Sequence, residues 1–242
     1  MERGDPLTAI VYMADSLLGV AKKAHAALDD GRPLKKPGNS EEGLSAIVFA
    51  AAAFETFLNE LGEVASGTGG TPGTDEPRVA LLAEVLGEAE ESKASTRLKY
   101  FLAGSVLQGR PFDRGNQPWQ DLELLLRLRD AVIHLQPTRF SLKQGKFSMT
   151  GAKLVEQLRQ RGLLPAFPAD VEMLFIHWLS PRSVARWAIN TAVRAVAGML
   201  AALPEGQFKE RTLPRYSKDF VEITGPSSND AEWRYGDGRG DA

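Results

Sequence analysis

The chain has no cysteine, and that absence removes disulfides, thiolate nucleophiles and cysteine-bound zinc or iron–sulfur clusters together. Histidine is nearly as scarce, with three in 242 residues, so proton exchange near neutral pH has few sites to occupy. Neither sign of charge dominates: 29 Lys and Arg stand against 31 Asp and Glu. Any nucleic-acid contact must therefore be local rather than a property of the whole surface. No apolar run reaches the roughly 20 residues that a bilayer span requires, and the opening Met1-Glu2-Arg3-Gly4-Asp5-Pro6 lacks the apolar core of a signal peptide. The chain is read as cytoplasmic, with no membrane contact. Two kinds of site are missing as well. Gly67 to Gly73 lacks the lysine and the strand–helix setting of a nucleotide phosphate loop. His25 and His177 have no ligand partners at useful spacing, and His177, between Ile176 and Trp178, reads as a packed residue. No metal and no cofactor is expected.

What is present is apolar content of 43%, enough for a core, arranged mostly at helical spacing. Helices are predicted over roughly 6–29, 41–65, 77–91, 93–108, 118–135, 151–161, 169–179 and 181–203. An all-α bundle follows, as one domain over 1–224. Breaks fall at Gly31-Arg32-Pro33, at Ser66 through Gly73, and at Gly109-Arg110-Pro111. One segment departs from the helical period: around Gly145, residues 139–150 alternate at period two and predict a short β-hairpin. Residues 225–242 carry too little apolar content to order themselves and are expected to form a disordered tail.

The stretch 118–135 is apolar around an unusually large part of its circumference. Leu122, Leu125, Leu128 and Val132 form one stripe, and Leu124, Leu126, Ile133 and Leu135 widen it. Such a helix is central, or it also faces a partner. Pro137 disfavours helical geometry at Gln136 and should end the helix close to His134. Arg129 and His134 thus occupy its last turns, an always-charged guanidinium and an imidazole, the pair suited to acid–base chemistry on a phosphate. Five residues of ideal helix separate them by about 140° and about 7.5 Å. Two copies meeting on a two-fold axis could gather two of each around one phosphate. The plain alternative is an arginine paired with a carboxylate and a histidine that ends a helix.

In 41–65, Leu44, Ile47, Val48, Ala51, Phe54, Leu58 and Leu61 form the core stripe, and Ala50 to Ala53 suit close helix packing. Glu55 lies on the edge of that stripe, with Asn59 one turn later. A carboxylate desolvated there needs a positive or donor partner. Arg129 is the candidate, through a bidentate pair that would fix the guanidinium's direction. A solvated flank residue is the alternative for Glu55.

These two helices resemble the HEPN superfamily, helical bundles found in RNases, toxin–antitoxin pairs and defence proteins. The resemblance is carried by Phe54-Glu55-Thr56-Phe57-Leu58-Asn59-Glu60-Leu61 and by Leu128-Arg129-Asp130-Ala131-Val132-Ile133-His134, the latter matching the family's Arg, four to six residues, then His, with a polar residue directly after the arginine. Leu98-Lys99-Tyr100 and Gly109-Arg110-Pro111-Phe112-Asp113-Arg114-Gly115 resemble the connecting region of some bacterial members. The likeness spans roughly 41–203. It implies a homodimer through the 118–135 helix, with a composite, metal-independent site that cuts single-stranded RNA. Arg129 and His134 would be the catalytic pair, supported by Asp130, Glu55 and Asn59. An antitoxin or regulatory protein is a further partner that it implies. Some toxins of the family carry a tyrosine two residues after the histidine, which a partner nucleotidyltransferase modifies; here that residue is Gln136, so control by that route is not expected.

Residues 137–161 carry Arg139, Lys143, Lys146, Lys153, Arg159 and Arg161 against Glu156 alone, a local positive surface suited to a phosphate backbone. Arg139, Lys143 and Lys146 are its candidate RNA contacts. Phe140 and Phe147 could stack on bases or could be the buried side of the hairpin. Arg182, Arg186 and Arg194 read as a solvated helix face around Trp187. The rival from another class is a non-enzymatic module that holds a nucleotide, RNA or a protein partner in the same groove.

Overall fold

The computed structural model describes residues 11–28, 41–69, 77–115, 117–134, 141–143, 146–148, 151–164 and 175–224. Among them are eight α-helices: α1 (Ala14–Ala27), α2 (Glu41–Gly69), α3 (Pro77–Glu91), α4 (Thr96–Gln108), α5 (Trp119–Ile133), α6 (Ala152–Gln160), α7 (Arg182–Ala201) and α8 (Gln207–Ser217). The all-α reading holds for this bundle. Two three-residue strands, β1 (Ser141–Lys143) and β2 (Lys146–Ser148), pair antiparallel with Ser141 opposite Ser148. The remainder of the expected 139–150 hairpin and the expected 225–242 tail lie outside the described residues.

The bundle is organised around α2, which packs against α1, α3, α4, α5, α7 and α8. Its sequence permits this because apolar residues occupy nearly its whole circumference: Ile47, Phe54, Phe57, Leu58 and Leu61 are fully buried, and so are Ala46, Ala50, Ala51 and Ala53. The alanines let neighbouring backbones come close. At its first turn Gly43 goes further, since a Cβ there would sit 2.9 Å from the Cα of Ser180. Phe54 meets Tyr100 of α4 edge-on at 5.2 Å between centroids, and Phe57 meets Tyr216 of α8 at 4.9 Å. These T-shaped contacts fix how α4 and α8 sit on the central helix. By length and composition α2 is long and apolar enough to cross a membrane, contrary to the expectation that no segment would be. Its apolar side chains form the core of the bundle.

Several boundaries differ from the sequence expectations for identifiable reasons. α2 continues through Ser66 and Gly67 to Gly69, so the break expected from residue 66 begins later. α4 begins at Thr96 rather than 93, because Lys93 adopts a left-handed φ of 53° and the Ser95 hydroxyl caps the helix by accepting the Leu98 N–H at 3.3 Å. The described part of the expected 169–179 helix is a 3-10 turn over Phe175–Leu179. α8 was not expected, since it holds Pro214 and few apolar residues; Phe208, Thr212 and Tyr216, one turn apart, are what it buries.

α5 places the candidate site. Leu122, Leu124, Leu125, Leu126 and Leu128 are all buried within the one chain, against α2, α4, α6 and α7. The broad apolar face is therefore that of a central helix, and its width does not call for a second copy. At its first turn Asp121 accepts from Arg161 Nε at 2.7 Å, tying down the end of α6. The helix leaves the core only at its last turn: Ala131 and Val132 still pack part-buried against it, Ile133 is 53% exposed, and His134 follows at the exposed C-cap, its backbone N–H donating to the Asp130 carbonyl at 2.9 Å. The helix ends where Pro137 led one to expect.

Candidate functional site

Glu55 and Arg129 meet across α2 and α5. Arg129 Nη1 donates to Glu55 Oε2 at 3.1 Å, with the arginine side chain 21% exposed and the glutamate 35%. The pair is a single hydrogen bond, not the bidentate fork expected, and on the Nε side of the guanidinium stands Asp130. Its Oδ1 lies 2.9 Å from Arg129 Nε, close enough for strong attraction but out of hydrogen-bond alignment, so the buried Nε has no hydrogen-bond partner. Nη2 has no partner among the described residues and is not buried. The guanidinium is thus aimed by two carboxylates and keeps one donor free at the surface.

His134 stands apart from this group. Its imidazole makes no hydrogen bond or ion pair among the described residues and is exposed at the end of α5. No hydrogen bond or ion pair joins it to Arg129 among the described residues. The two groups occupy the same end of one helix, and a bound phosphate or a second copy would have to bring them to one centre.

Asn59 goes elsewhere. Its Oδ1 accepts from Lys99 Nζ of α4 at 2.9 Å, and the same ammonium is paired with Glu90. Lys99 is buried, so the pair acts as a satisfied strut between α2, α3 and α4. The flank of α2 that carries Glu55 and Asn59 therefore meets one cation from α5 and another from α4.

The basic stretch after the motif is partly neutralised. Arg161 pairs with Asp121, while Arg159 pairs with Glu156 at 3.1 Å and lies 5.5 Å above the Trp178 ring. Lys153 is exposed. Lys143 and Lys146 are directly opposite in the β1–β2 register. Arg139 lies outside the described residues. Among the other histidines, His177 has a buried Nδ1 without a hydrogen-bond partner, and burial lowers its pKa, as suits a packed neutral ring. Buried His25 accepts from Arg182 Nε at 3.3 Å through Nε2. Arg194, expected on a solvated face, pairs with Glu222 at 3.2 Å.

The polar group that sequence reasoning missed is Glu60. It is 5% exposed and accepts from the backbone N–H groups of Met13 and Ala14, the latter at 3.0 Å, and from the Tyr216 hydroxyl at 2.7 Å. One carboxylate of α2 thereby caps the start of α1 and holds the end of α8. Burial, and then the hydrogen bond and negative charge of Glu60, push the Tyr216 hydroxyl far above the ordinary phenol range. The available signal was a charged residue on the same helical face as the apolar Ala53, Phe57 and Val64.

Compared with known protein families, with curated proteins and with solved structures, the chain matches none.

Proposed function

We propose that this chain is a HEPN-type, metal-independent endoribonuclease acting on single-stranded RNA, a toxin or defence effector. The observation that carries the reading is the arginine aimed by Glu55 and Asp130, with Nη2 free, on the same helix end as an exposed histidine. In the proposed reaction the ribose 2′-oxygen attacks the adjacent phosphorus and the bond to the 5′-oxygen breaks. The 2′-OH proton leaves to a base and the 5′-oxygen gains one, giving a 2′,3′-cyclic phosphate and a 5′-OH. His134 is suited to accept or return that proton. Arg129 Nη2 is suited to stabilise the charge gathering on the phosphoryl oxygens. Because no hydrogen bond or ion pair joins His134 to Arg129 among the described residues, the complete centre is a composite of two copies, related by a two-fold axis at the C-terminal end of α5, that gathers two of each group around one phosphate. Exposed Ile133 lies at the same place.

Incubation of the purified protein with single-stranded RNA in chelator tests the reading. Cleavage that continues in EDTA, leaves cyclic-phosphate ends and spares DNA, which lacks the 2′-OH, is the expected result. The alternative is the non-enzymatic module that holds RNA at the same helix end without cutting it. Stable RNA binding without any cleavage selects that alternative.

A further inference from the structure

Two contacts show that α6 runs antiparallel to α5. Arg161, just past the end of α6, donates to Asp121 in the first turn of α5 at 2.7 Å, and further along α5 Arg127 Nη1 donates to Gln157 Oε1 at 3.4 Å. Lys153 shares the Gln157 face of α6 one turn earlier, so the same alignment brings it towards the last turn of α5. Arg127 in turn shares a face with His134. Seven residues of ideal helix return to within about 20° of the same direction and separate the two by about 10.5 Å. Arg129, about 200° around the helix from Arg127, serves the α2 side instead. The seam between α5 and α6 therefore carries Arg127, Gln157 and Lys153 on the His134 side of the helix end.

Charge sets this seam apart from the rest of the two helices. Every carboxylate on α5 and α6 already faces an arginine: Asp121 with Arg161, Glu123 with Arg97, Asp130 with Arg129 and Glu156 with Arg159. Of the cations on the same helices, Arg127 and Lys153 alone have no carboxylate partner among the described residues. Arg127 is part-buried, its one hydrogen bond goes to a neutral amide, and its Nε and Nη2 are not buried. Gln157 uses its oxygen in that bond and keeps its amide N–H groups, and Lys153 is exposed. The seam thus offers donors only: guanidinium, amide and ammonium. Phosphate oxygens are acceptors only, and an anion repeated along about 10 Å of helix from His134 suits a strand.

We propose that the α5–α6 seam holds the RNA strand to one side of the cut, with Arg127 and Lys153 each on a backbone phosphate beyond the one at His134 and Gln157 donating between them. This rests on the RNA reading and adds to it a track that begins with a residue ahead of the Arg129 and His134 pair. Fluorescence anisotropy of the full chain with a 2′-O-methylated single-stranded oligoribonucleotide, across a series of KCl concentrations, tests it. That strand has no 2′-OH nucleophile and cannot be cut, so binding is read apart from cleavage. Each phosphate contact to a single strand contributes about 0.7 to the slope of log affinity against log salt. Arg127→Gln and Lys153→Gln each reduce the slope by about 0.7 and weaken binding about tenfold at low salt, and the double variant reduces the slope by about 1.4. Arg127→Lys keeps the charge and restores the slope. Arg211→Gln removes an exposed charge from α8, which packs on α2 and α7, and leaves the slope as in the wild type. Wild-type slopes in both glutamine variants overturn the proposal and leave the seam to an acidic protein partner; failure of the wild type to bind the strand at low salt overturns it as well. Cleavage of the unmodified strand separates the two claims. Binding with the reduced slopes but no cleavage by the wild type refutes the nuclease alone, and cleavage with unaltered slopes refutes the track alone.

Discussion

Glu55 and Glu60 sit five residues apart on α2, about 140° around it and about 7.5 Å along it, and the chain uses them in opposite ways. Glu60 is enclosed, with three neutral donors and no cation: two N–H groups at the start of α1 and the Tyr216 hydroxyl. Every contact it makes fixes one part of the chain to another. Glu55 is part-exposed and faces a cation whose outer donor stays free. Residue type does not separate a strut from a site. Solvent access and the unmet hydrogen-bonding capacity of the partner do.

The first way to break this contrast is Glu60→Ala, which strips the α1 cap and leaves the Tyr216 hydroxyl buried without its acceptor. A loss of about 2–4 kcal/mol in denaturant unfolding is expected. Glu60→Gln keeps an acceptor for the N–H groups and costs about 1 kcal/mol. A surface-sized change for Glu60→Ala breaks the contrast.

A second effect appears in alkali. Burial pushes the Tyr100 hydroxyl up to about 12 from 10.0. The folded state therefore holds this proton after the unfolded chain has released it. The corresponding stability is fully present below pH 10 and is lost as pH rises towards 12, about 2–3 kcal/mol in all. Tyr216, raised by burial and by Glu60, adds to the same loss. Melting temperatures across that window should fall less steeply in Tyr100→Phe and in Tyr216→Phe than in the wild type, and Glu55→Gln should leave the slope unchanged.

The smallest change in stability sharpens the contrast most. The Glu55–Arg129 pair is part-exposed, so Glu55→Gln should alter stability by less than about 1 kcal/mol. RNA cleavage should fall nonetheless, because the guanidinium loses one of the two carboxylates that aim it. Unfolding curves read beside cleavage rates check both halves. A large stability loss would make Glu55 a strut of the Glu60 kind.

The Glu55–Arg129 contact was legible in the sequence because both residues flank strong apolar stripes, and a half-buried carboxylate requires a partner. The end of α5 was legible from Pro137. Glu60 was not, since its donors lie 46 and 47 residues back in backbone N–H groups and 156 residues ahead in Tyr216; periodicity carries no information about such distances. For the same reason the bond from Lys99 to Asn59 could not be read from the sequence. α8 escaped because its stability comes from packing on α2 and α7 rather than from its own composition. The width of the α5 stripe was visible, but only the packing of α4, α6 and α7 around it shows what that width covers.

Single-stranded RNA cleavage in EDTA, with wild type, Arg129→Ala and His134→Ala side by side, tests whether the end of α5 cuts RNA through Arg129 and His134. His134 is exposed and without side-chain partners, so its alanine variant should fold and melt like the wild type. The wild type should cleave, and both variants should lose cleavage while retaining helicity. Undiminished cleavage by folded His134→Ala would contradict that assignment.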